Sequence, residues 1–200
     1  MTSRVIPHAG KNIGYIKLTS FTHDTAAAFK QAARAQLVQG VHGFVIDLRN
    51  NPGGYLEQSV EVSSAFIPSG TIVSTIRRGD QKDEVKALGN AFLQDQKIVV
   101  LVNQGSASAA EIVAGALQDT GHAQVVGQQT FGKGSVQEYQ PFSDGSSLKL
   151  TVAKWYTPSG RSIADEGIKP NIEVTMSPED SDQDKDPQLD RALALLVPSS

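Results

Sequence analysis

Hydrophobic and polar residues follow two different periods in the opening segment of the chain. Residues 13–21 alternate between apolar and polar with one slip, which predicts a strand with a bulge. After them, Phe29, Ala33 and Leu37 recur every four residues, and Gly40 stands where a helix commonly ends. The chain is therefore expected to open with a strand followed by a helix.

The same order of strand and helix continues through the middle of the chain. Residues 42–49 (HGFVIDLR) are rich in strand-favouring residues, NNPGG breaks the run, and residues 55–66 suit a helix. Residues 71–77 form another strand-like run, and residues 97–103 (KIVVLVN) form an apolar run typical of strands buried on both faces. A helix follows and ends near Asp119. Strands that alternate with helices predict an α/β fold with a mostly parallel sheet.

The C-terminal part is richer in strands and ends in a helix. Strands are predicted over residues 123–127, 135–142 and 147–156, and we expect them to add a hairpin or edge strands. No internal repeat is visible.

Three sections are predicted: a core over residues 1–176, a flexible acidic linker over 177–187 and a C-terminal helix over 188–200. The linker, SPEDSDQDKDP, holds five acids, one lysine and no hydrophobic residue. Asp186 and Pro187 match the start of a helix. Three leucines then form an apolar stripe that should dock on the body or on another chain, namely Leu189, Leu193 and Leu196.

Composition narrows the classes of function. Of the 200 residues, 39% are hydrophobic and 20% are charged, so the chain can bury a core. A net charge of −3 gives no basic field for phosphate backbones and argues against nucleic acid as a partner. The absence of cysteine excludes disulfides, thiolate zinc sites and cysteine nucleophiles.

Targeting and metal signals are also missing from the sequence. No apolar run approaches the ~18 residues of a membrane span. The N-terminal segment has no apolar region, so an exported protein would lack its signal peptide in this chain. The four histidines show no HxxxH or HExxH spacing, which argues against a metal site. A Ser-His-Asp triad stays open by spacing alone.

The first candidate for chemistry is the segment NQGSASAAEIVAGAL, residues 103–117. It places Ser108 at the mouth of a helix, where outward N–H groups can stabilise an oxyanion. The alternative is structural, because Ser108 and Glu111 fit a capping box in which the hydroxyl satisfies backbone donors.

The second candidate is VGQQTFGKGSVQ, residues 126–137. It matches most of a phosphate loop but has Gly134 where Ser or Thr should hold magnesium, and a strand pattern follows instead of a helix. Nucleotide binding is therefore disfavoured. What remains is Lys133 between two glycines, with Gln137 nearby; the alternative for Lys133 is a solvated turn lysine.

The third candidate is DLRNNPGG, residues 47–54. Pro52 and Gly53 suit the centre of a turn, and Gly54 allows a backbone N–H to approach a ligand without a Cβ in the way. A plain turn between a strand and a helix explains the segment equally well.

Together, these segments resemble the catalytic core of the carboxyl-terminal processing, or tail-specific, serine proteases. The resemblance runs from about Gly14 to Val174 and includes TPSGRSI (157–163) and GIKPNIEV (167–174). The order of the blocks and the spacing of 25 residues between Ser108 and Lys133 agree with that family. The implied fold is an α/β core similar to crotonase and ClpP, with a mostly parallel sheet, a β-rich C-terminal part and a terminal helix.

The resemblance implies a role for each matched residue. Ser108 would be the nucleophile, Lys133 the general base and Gln137 the residue that orients the lysine. The backbone N–H groups of Ala109 and Gly54 would form the oxyanion hole, with Gly53 as the alternative to Gly54.

Chemistry adds an expectation about the lysine. A lysine can accept a proton only when it is neutral, and apolar burial favours the neutral form. Lys133 is therefore expected to point inward in the active enzyme. Spacing does not explain the role of Gln137, because in a regular strand it lies roughly 13 Å from residue 133 at about 3.3 Å per residue. A kink at Gly132 or Gly134 would have to bring the two together.

Ala110 and Asn171 depart from the residues that the family often has, and neither touches the implied dyad. The resemblance further implies an endopeptidase that cleaves proteins near their C-termini through an acyl-enzyme, with no metal or cofactor. It implies protein or peptide substrates bound through their C-terminal region, an extracytoplasmic location (periplasm, cell envelope or thylakoid lumen) and a homo-oligomer as one option. The PDZ domain or activator usual in the family is missing from this chain. The alternative function is a catalytically silent core that acts as a peptide-binding or assembly module.

Overall fold

The computed structural model describes residues 1–77, 79, 81–164, 166–183 and 185–197. Its elements alternate between strands and helices in the first half and are mostly strands later. In chain order they are β1 (Thr2–His8), β2 (Lys11–Lys17), α1 (Thr25–Val38), β3 (Gly43–Asp47), α2 (Leu56–Ser63), β4 (Thr71–Arg77), β5 (Lys82–Lys86), β6 (Lys97–Val102), α3 (Ala109–Asp119), β7 (Ala123–Gly127), β8 (Ser135–Pro141), β9 (Ser147–Tyr156), β10 (Ile172–Glu173), α4 (Pro178–Asp182) and α5 (Pro187–Leu196).

A six-stranded sheet in the order β1-β2-β3-β6-β7-β10 forms the centre of the fold. β1 and β2 are antiparallel, and every later neighbour pair is parallel. The predicted α/β fold with a mostly parallel sheet is therefore confirmed. The strand β1 was missed by sequence analysis because most of its residues are exposed, so its pattern carries little hydrophobic signal.

Side chains that alternate along the central strands divide the core into two layers. On one face, Phe44 and Val100 pack with the helices α1, α2 and α3 in the larger cluster. On the other face, Val45 and Leu101 pack with Leu193 of α5. Because β3 and β6 are covered on both sides, they read as continuous apolar runs in the sequence.

A second sheet, antiparallel and four-stranded, has the order β5-β4-β9-β8. The strands β8 and β9 form the hairpin expected from their alternating sequence. β5 lies in a polar segment that sequence analysis left unassigned; it is an edge strand whose partner is β4. The β-rich C-terminal part thus pairs with a segment from the middle of the chain.

The C-terminal segment begins its last helix where the sequence predicts. The Asp186 carboxylate accepts the N–H of Leu189 at 2.9 Å, and Pro187 occupies the first turn of α5. The stripe docks on the body of the same chain, with Leu193 and Leu196 buried. Within the segment expected to be a flexible linker, residues Pro178–Asp182 form the short helix α4. Residues 198–200 of the expected terminal helix lie outside the described residues.

Over the described ranges, no helix is long and apolar enough to cross a membrane.

Candidate active site

Three loops meet at the carboxyl edge of the central sheet. They follow β3, β6 and β7, and the ends of parallel strands lie at the same edge. The Asn50 N–H donates to Asn103 Oδ1 at 2.8 Å, and Asn103 Nδ2 donates to Asn50 Oδ1 at 2.9 Å. The Phe131 N–H donates to the Ser106 carbonyl at 3.0 Å. The structure therefore brings together all three segments that sequence analysis singled out.

Ser108 lies at the N-cap of α3 in a conformation that L-residues rarely adopt. Its φ of 54° and ψ of −118° place it in the region that favours glycine. Strain of this kind persists only where the surrounding contacts impose it, and it concentrates at functional sites. The side chain is half-buried. The strained backbone therefore makes Ser108 a candidate functional residue.

Ser106, two residues earlier, has a structural role. Its hydroxyl donates to the Leu48 carbonyl at 2.8 Å and accepts the Asn103 N–H at 3.0 Å, and the residue is fully buried. These bonds join the loop after β6 to the loop after β3. Ser106 is therefore committed to holding the two loops together.

The capping box predicted for Ser108 and Glu111 is present, and its well-formed half comes from the glutamate. The Glu111 carboxylate accepts the Ser108 N–H at 2.7 Å. The Ser108 hydroxyl itself makes no side-chain cap hydrogen bond to α3. The capping interpretation of this segment is therefore confirmed through Glu111, and the catalytic interpretation of Ser108 stays a prediction.

Gly53 lies directly against Ser108, and the next residue, Gly54, lies against the backbone of Phe21. A Cβ on Gly53 would come within 2.6 Å of Ser108 Cβ and 2.9 Å of the Ala109 nitrogen, and its φ is 99°. The loop is pinned to Phe21, whose N–H donates to the Gly53 carbonyl at 2.9 Å. A glycine is required here because no side chain fits between the loop and Ser108.

The backbone donors around Ser108 differ in availability. The Gly53 N–H already donates to Asn51 Oδ1 at 2.9 Å. Within the part of the chain that the structure describes, neither the Gly54 N–H nor the Ala109 N–H donates a hydrogen bond, and Ala109 is the first residue of α3. This arrangement favours Gly54 over Gly53 as a donor to an external oxyanion.

Lys133 is exposed in this structure, whereas an inward-pointing lysine is expected of the active enzyme. Its backbone N–H donates to Glu111 Oε2 at 3.0 Å, whereas its Nζ makes no hydrogen bond or ion pair with any described residue. The physical reason is that an ammonium group keeps its water where no apolar surface covers it. Ser108 and the lysine backbone are close, but the side chain extends into solvent.

Gln137 lies on β8 and is also exposed. Its Nε2 approaches Thr151 Oγ1 on the neighbouring strand at 3.5 Å. The register of the β8–β9 pair shifts between Val136 and Gln137, so the strand is irregular there. The distortion occurs beside Gln137 itself, and no hydrogen bond joins its side chain to Lys133 among the described residues.

The glycines around Lys133 are dictated by packing. A Cβ on Gly134 would lie 1.9 Å from the Ala164 nitrogen, and Gly132 has a φ of 86°. Since β8 and not a helix follows, the loop lacks the helix N-terminus that a phosphate loop requires. Gly134 therefore allows close packing against Ile163 and Ala164, and Gly132 allows a backbone conformation that favours glycine.

Asp119 anchors that segment to the end of α3. Its carboxylate accepts the Ser159 N–H at 2.9 Å and pairs with Arg161. Burial alone would raise the pKa of Asp119, but hydrogen bonds from Ser159, Thr157 and Arg161 outweigh it and lower the pKa. Sequence analysis missed this residue, because nothing in the local pattern links positions forty residues apart.

A second polar network lies beside the site. Asp47 is fully buried and receives Arg49 Nε at 3.0 Å, Arg49 Nη2 at 2.7 Å and the Tyr15 hydroxyl at 2.6 Å. Arg49 also binds Asp186 at the start of α5, at 2.8 Å. This network fixes the root of the DLRNNPGG loop to the C-terminal helix, and sequence analysis did not find it.

The electrostatics of the network follow from burial and pairing. Burial raises the pKa of Tyr15 and the negative charge of Asp47 raises it further. Burial alone would lower the pKa of Arg49, but its bonds to Asp186 and Asp47 raise it. Burial would raise the pKa of Asp186, yet Arg49 and the Leu189 N–H lower it below its usual range.

Histidine and metal chemistry find no support in the geometry. Among the described residues, no histidine hydrogen-bonds to Ser108; His122 contacts Thr120 Oγ1 at 2.9 Å at the end of α3. The described ranges also hold no group of three or more His, Cys, Asp or Glu placed to bind a metal ion.

Comparison with known proteins places the chain among peptidases. The profile of Peptidase family S41 matches residues 12–174. A carboxy-terminal-processing protease of Bartonella bacilliformis is 48% identical over 170 residues, covering 82% of this chain and 39% of that protein. A carboxyl-terminal-processing protease of Synechocystis is 45% identical over 172 residues, covering 84% of this chain and 39% of that protein. The chain thus spans about two fifths of the length of these relatives.

A solved structure, the photosystem II D1 C-terminal processing protease, has the same fold. It superimposes with a TM-score of 0.79 at 38% identity, covering 82% of this chain and 42% of that one. Since both the sequence profile and relatives above 40% identity span most of its length, this chain belongs to peptidase family S41.

Proposed function

We propose that this chain is the catalytic core of a serine endopeptidase that cleaves proteins near their C-termini. The observation that carries the proposal is the placement of Ser108. Its strained backbone lies against Gly53 and is joined through Glu111 to the loop of Lys133, and among the described residues the N–H groups of Gly54 and Ala109 donate no hydrogen bond. The names of the relatives, carboxyl-terminal processing proteases, supply the expected class of substrate.

In the proposed reaction, neutral Lys133 Nζ takes the proton of Ser108 Oγ while Oγ bonds to the scissile carbonyl carbon. The carbonyl oxygen becomes an oxyanion, which the N–H groups of Gly54 and Ala109 stabilise. When the carbon–nitrogen bond breaks, the lysine gives its proton to the leaving amine and an acyl-enzyme remains. A water molecule, deprotonated by the same lysine, then attacks the ester carbon; as the bond from that carbon to Ser108 Oγ breaks, the lysine returns the proton to Oγ and the acid is released. In this scheme Gln137 orients the lysine.

The exposure of Lys133 supports a second candidate, a core that binds peptides or assembles with other chains without catalysis. In the peptidase proposal, the exposed lysine is a resting state, and a bound polypeptide supplies the cover that makes the lysine neutral. Apo geometry does not by itself exclude a general base.

The remaining parts of the proposal concern the longer protein. The core over residues 1–176, the acidic segment and the terminal helix would work with a PDZ domain or activator outside this chain. Protein substrates would bind through their C-terminal region, and a homo-oligomer is an option. An extracytoplasmic location, in the periplasm, cell envelope or thylakoid lumen, is proposed from the family resemblance.

The test is a reactive-serine probe together with turnover of an unstructured protein substrate. Ser108→Ala should abolish both labelling and turnover, and Lys133→Ala and Lys133→Arg should abolish turnover, the latter because a guanidinium stays protonated at ordinary pH. Ser63→Ala is the matched control. The hydroxyl of Ser63 is buried on α2 without a hydrogen-bond partner among the described residues, so its removal should leave activity unchanged.

Turnover at the wild-type rate in folded Ser108→Ala or Lys133→Ala would contradict the dyad. The silent binding module would be favoured if the wild-type chain, tested together with its PDZ domain or activator, neither reacts with the serine probe nor cleaves the substrate.

A further inference from the structure

Glu111 is a buried acid that receives four hydrogen bonds. It lies in the first turn of α3 with 0% of its surface exposed. Oε1 accepts the Thr130 hydroxyl at 2.6 Å and the Gly132 N–H at 2.6 Å. Oε2 accepts the Ser108 N–H at 2.7 Å and the Lys133 N–H at 3.0 Å. Two of the donors are the backbone N–H groups of the proposed dyad residues, Ser108 and Lys133, and the other two, from Thr130 and Gly132, lie in the loop that carries Lys133.

Ser108 and Lys133 share one oxygen of the Glu111 carboxylate. Because Oε2 bonds to the backbone nitrogens of both Ser108 and Lys133, those nitrogens lie within two hydrogen-bond lengths of each other. Backbone N–H groups cannot change rotamer as side chains do. The carboxylate therefore fixes the backbone positions from which the side chains of Ser108 and Lys133 extend. A simple capping box would need only the bond to Ser108.

We propose that Glu111 is a positioning residue, which sets the separation between the nucleophile and the general base by holding both backbones on one carboxylate. The inference rests on the proposed serine–lysine function and adds a residue to it. Glu111 would act through Ser108 and Lys133 and would not touch the substrate.

In all four hydrogen bonds Glu111 is the acceptor, so both of its side-chain oxygens are needed. Three of the donors are backbone N–H groups, and no cation pairs with Glu111 among the residues described. A glutamine of the same volume has one acceptor oxygen and one amide NH₂ group. If the NH₂ replaces Oε2 it faces two N–H groups, and if it replaces Oε1 it faces the Gly132 N–H. Glu111→Gln therefore preserves packing, and in either orientation of the amide it places an N–H donor against at least one backbone N–H of the network.

Thr130 offers an independent way to weaken the same link. Its hydroxyl donates to Glu111 Oε1 and accepts the Ile168 N–H at 2.7 Å, and the residue is buried. Thr130→Val keeps the shape but loses both bonds, whereas Thr130→Ser keeps both. This pair separates loss of the hydroxyl from loss of volume.

Asp119→Asn is the matched control. Asp119 is also an acid on α3 that accepts a loop N–H and supports a neighbouring segment, but it lies at the opposite end of the helix from Ser108. Its substitution tests whether any damage to loop anchoring on α3 lowers activity.

The experiment measures three quantities for each variant of the full chain: kcat and KM on an unstructured protein, the rate at which a reactive-serine probe labels Ser108, and thermal unfolding. We expect Glu111→Gln to lower both kcat and the labelling rate by about tenfold to a hundredfold with little change in KM, as misplacement of reacting groups does. Thr130→Val should show a smaller loss of the same kind, and Thr130→Ser should restore activity. Asp119→Asn should unfold at a lower temperature and keep its kcat.

Two results would overturn the proposal. One is a folded Glu111→Gln variant with wild-type kcat and labelling. The other is a loss of kcat that tracks the unfolding temperature equally in Glu111→Gln and Asp119→Asn, which would make Glu111 merely structural. If Glu111→Gln does not fold, equal activity of Thr130→Val and Thr130→Ser decides against the proposal. Failure of the proposed function looks different, since Ser108→Ala would then retain wild-type turnover.

Discussion

Asp186 joins the C-terminal helix to the loop beside the candidate active site, so its substitution tests whether this helix stabilises the core. One carboxylate has two roles. It caps α5 through Oδ1, and it binds Arg49 through both oxygens, from Nη1 to Oδ1 and from Nη2 to Oδ2, each at 2.8 Å. Two substitutions separate these roles, because asparagine keeps an Oδ1 acceptor and alanine keeps nothing.

The cost of each change follows from burial. The Arg49 side chain is 9% exposed and that of Asp186 is 28% exposed, so the pair lies between an exposed one worth at most about 1 kcal/mol and a buried one worth about 3–5 kcal/mol. Arg49 also keeps its partner Asp47, which limits the loss. We expect Asp186→Asn to cost about 1–2 kcal/mol. Asp186→Ala should cost about 1 kcal/mol more for the lost cap.

The assay is urea unfolding of both variants at neutral pH, with Asp190→Asn as the control. Asp190 is an exposed acid in the first turn of the same helix, and its loss should cost only a few tenths of a kcal/mol. Equal costs for Asp186→Asn and Asp186→Ala would refute the separate contribution of the cap. A cost of Asp186→Asn no larger than that of Asp190→Asn would refute the contribution of the Arg49 pair.

The pH dependence gives a second check with a definite sign. The pKa of Asp186 is lower in the folded chain than in the unfolded one, so its stabilisation is present above the unfolded value near 3.9 and is lost as pH falls through the folded value. The difference in unfolding free energy between wild type and Asp186→Asn should therefore be constant near neutrality and shrink in acid. A difference that grew in acid would contradict this reasoning.

Two further predictions concern the supports of the site. Tyr15→Phe should cost about 1–2 kcal/mol, because Asp47 loses one bond and keeps those from Arg49. Since the pKa of Tyr15 is raised, wild type should also lose stability above pH ~10 in a way that the variant does not, measured by urea unfolding against pH. Gly134→Ala should abolish activity and lower the unfolding temperature, because its Cβ would lie 1.9 Å from the Ala164 nitrogen; a variant with wild-type turnover and stability would show that the loop can move aside.

The order of elements was readable from the sequence wherever burial leaves a periodic pattern. The runs of β3 and β6 are covered on both faces, and the stripe of α5 docks on the sheet, so each shows in the hydrophobic pattern. The strands β1 and β5 are paired with a neighbouring strand, and most of their residues are exposed. Such strands leave almost no signal in a single sequence, and they were missed.

The residues of the candidate site were named from the order and spacing of short blocks, but their supports were not. The Ser108–Glu111 box is local and was predicted, because both partners lie within one turn of a helix. The bonds from Glu111 to the loop of Lys133, and from Arg49 to Asp186, join positions 22 and 137 residues apart. Only the folded chain brings those positions together, so no local pattern could reveal them.

Lys133 is exposed in the free chain, whereas the proposed chemistry requires it to be buried. The demand for a buried, neutral lysine comes from the proton transfer, whereas the free chain lowers its energy by leaving the ammonium in water. Both conditions can be met without rebuilding the loop. The Lys133 backbone is already fixed to Glu111, and its side chain carries four rotatable bonds with no partner among the described residues. If Lys133 is the general base, as we propose, binding of a polypeptide needs to change only its side chain, because its backbone is already fixed to Glu111.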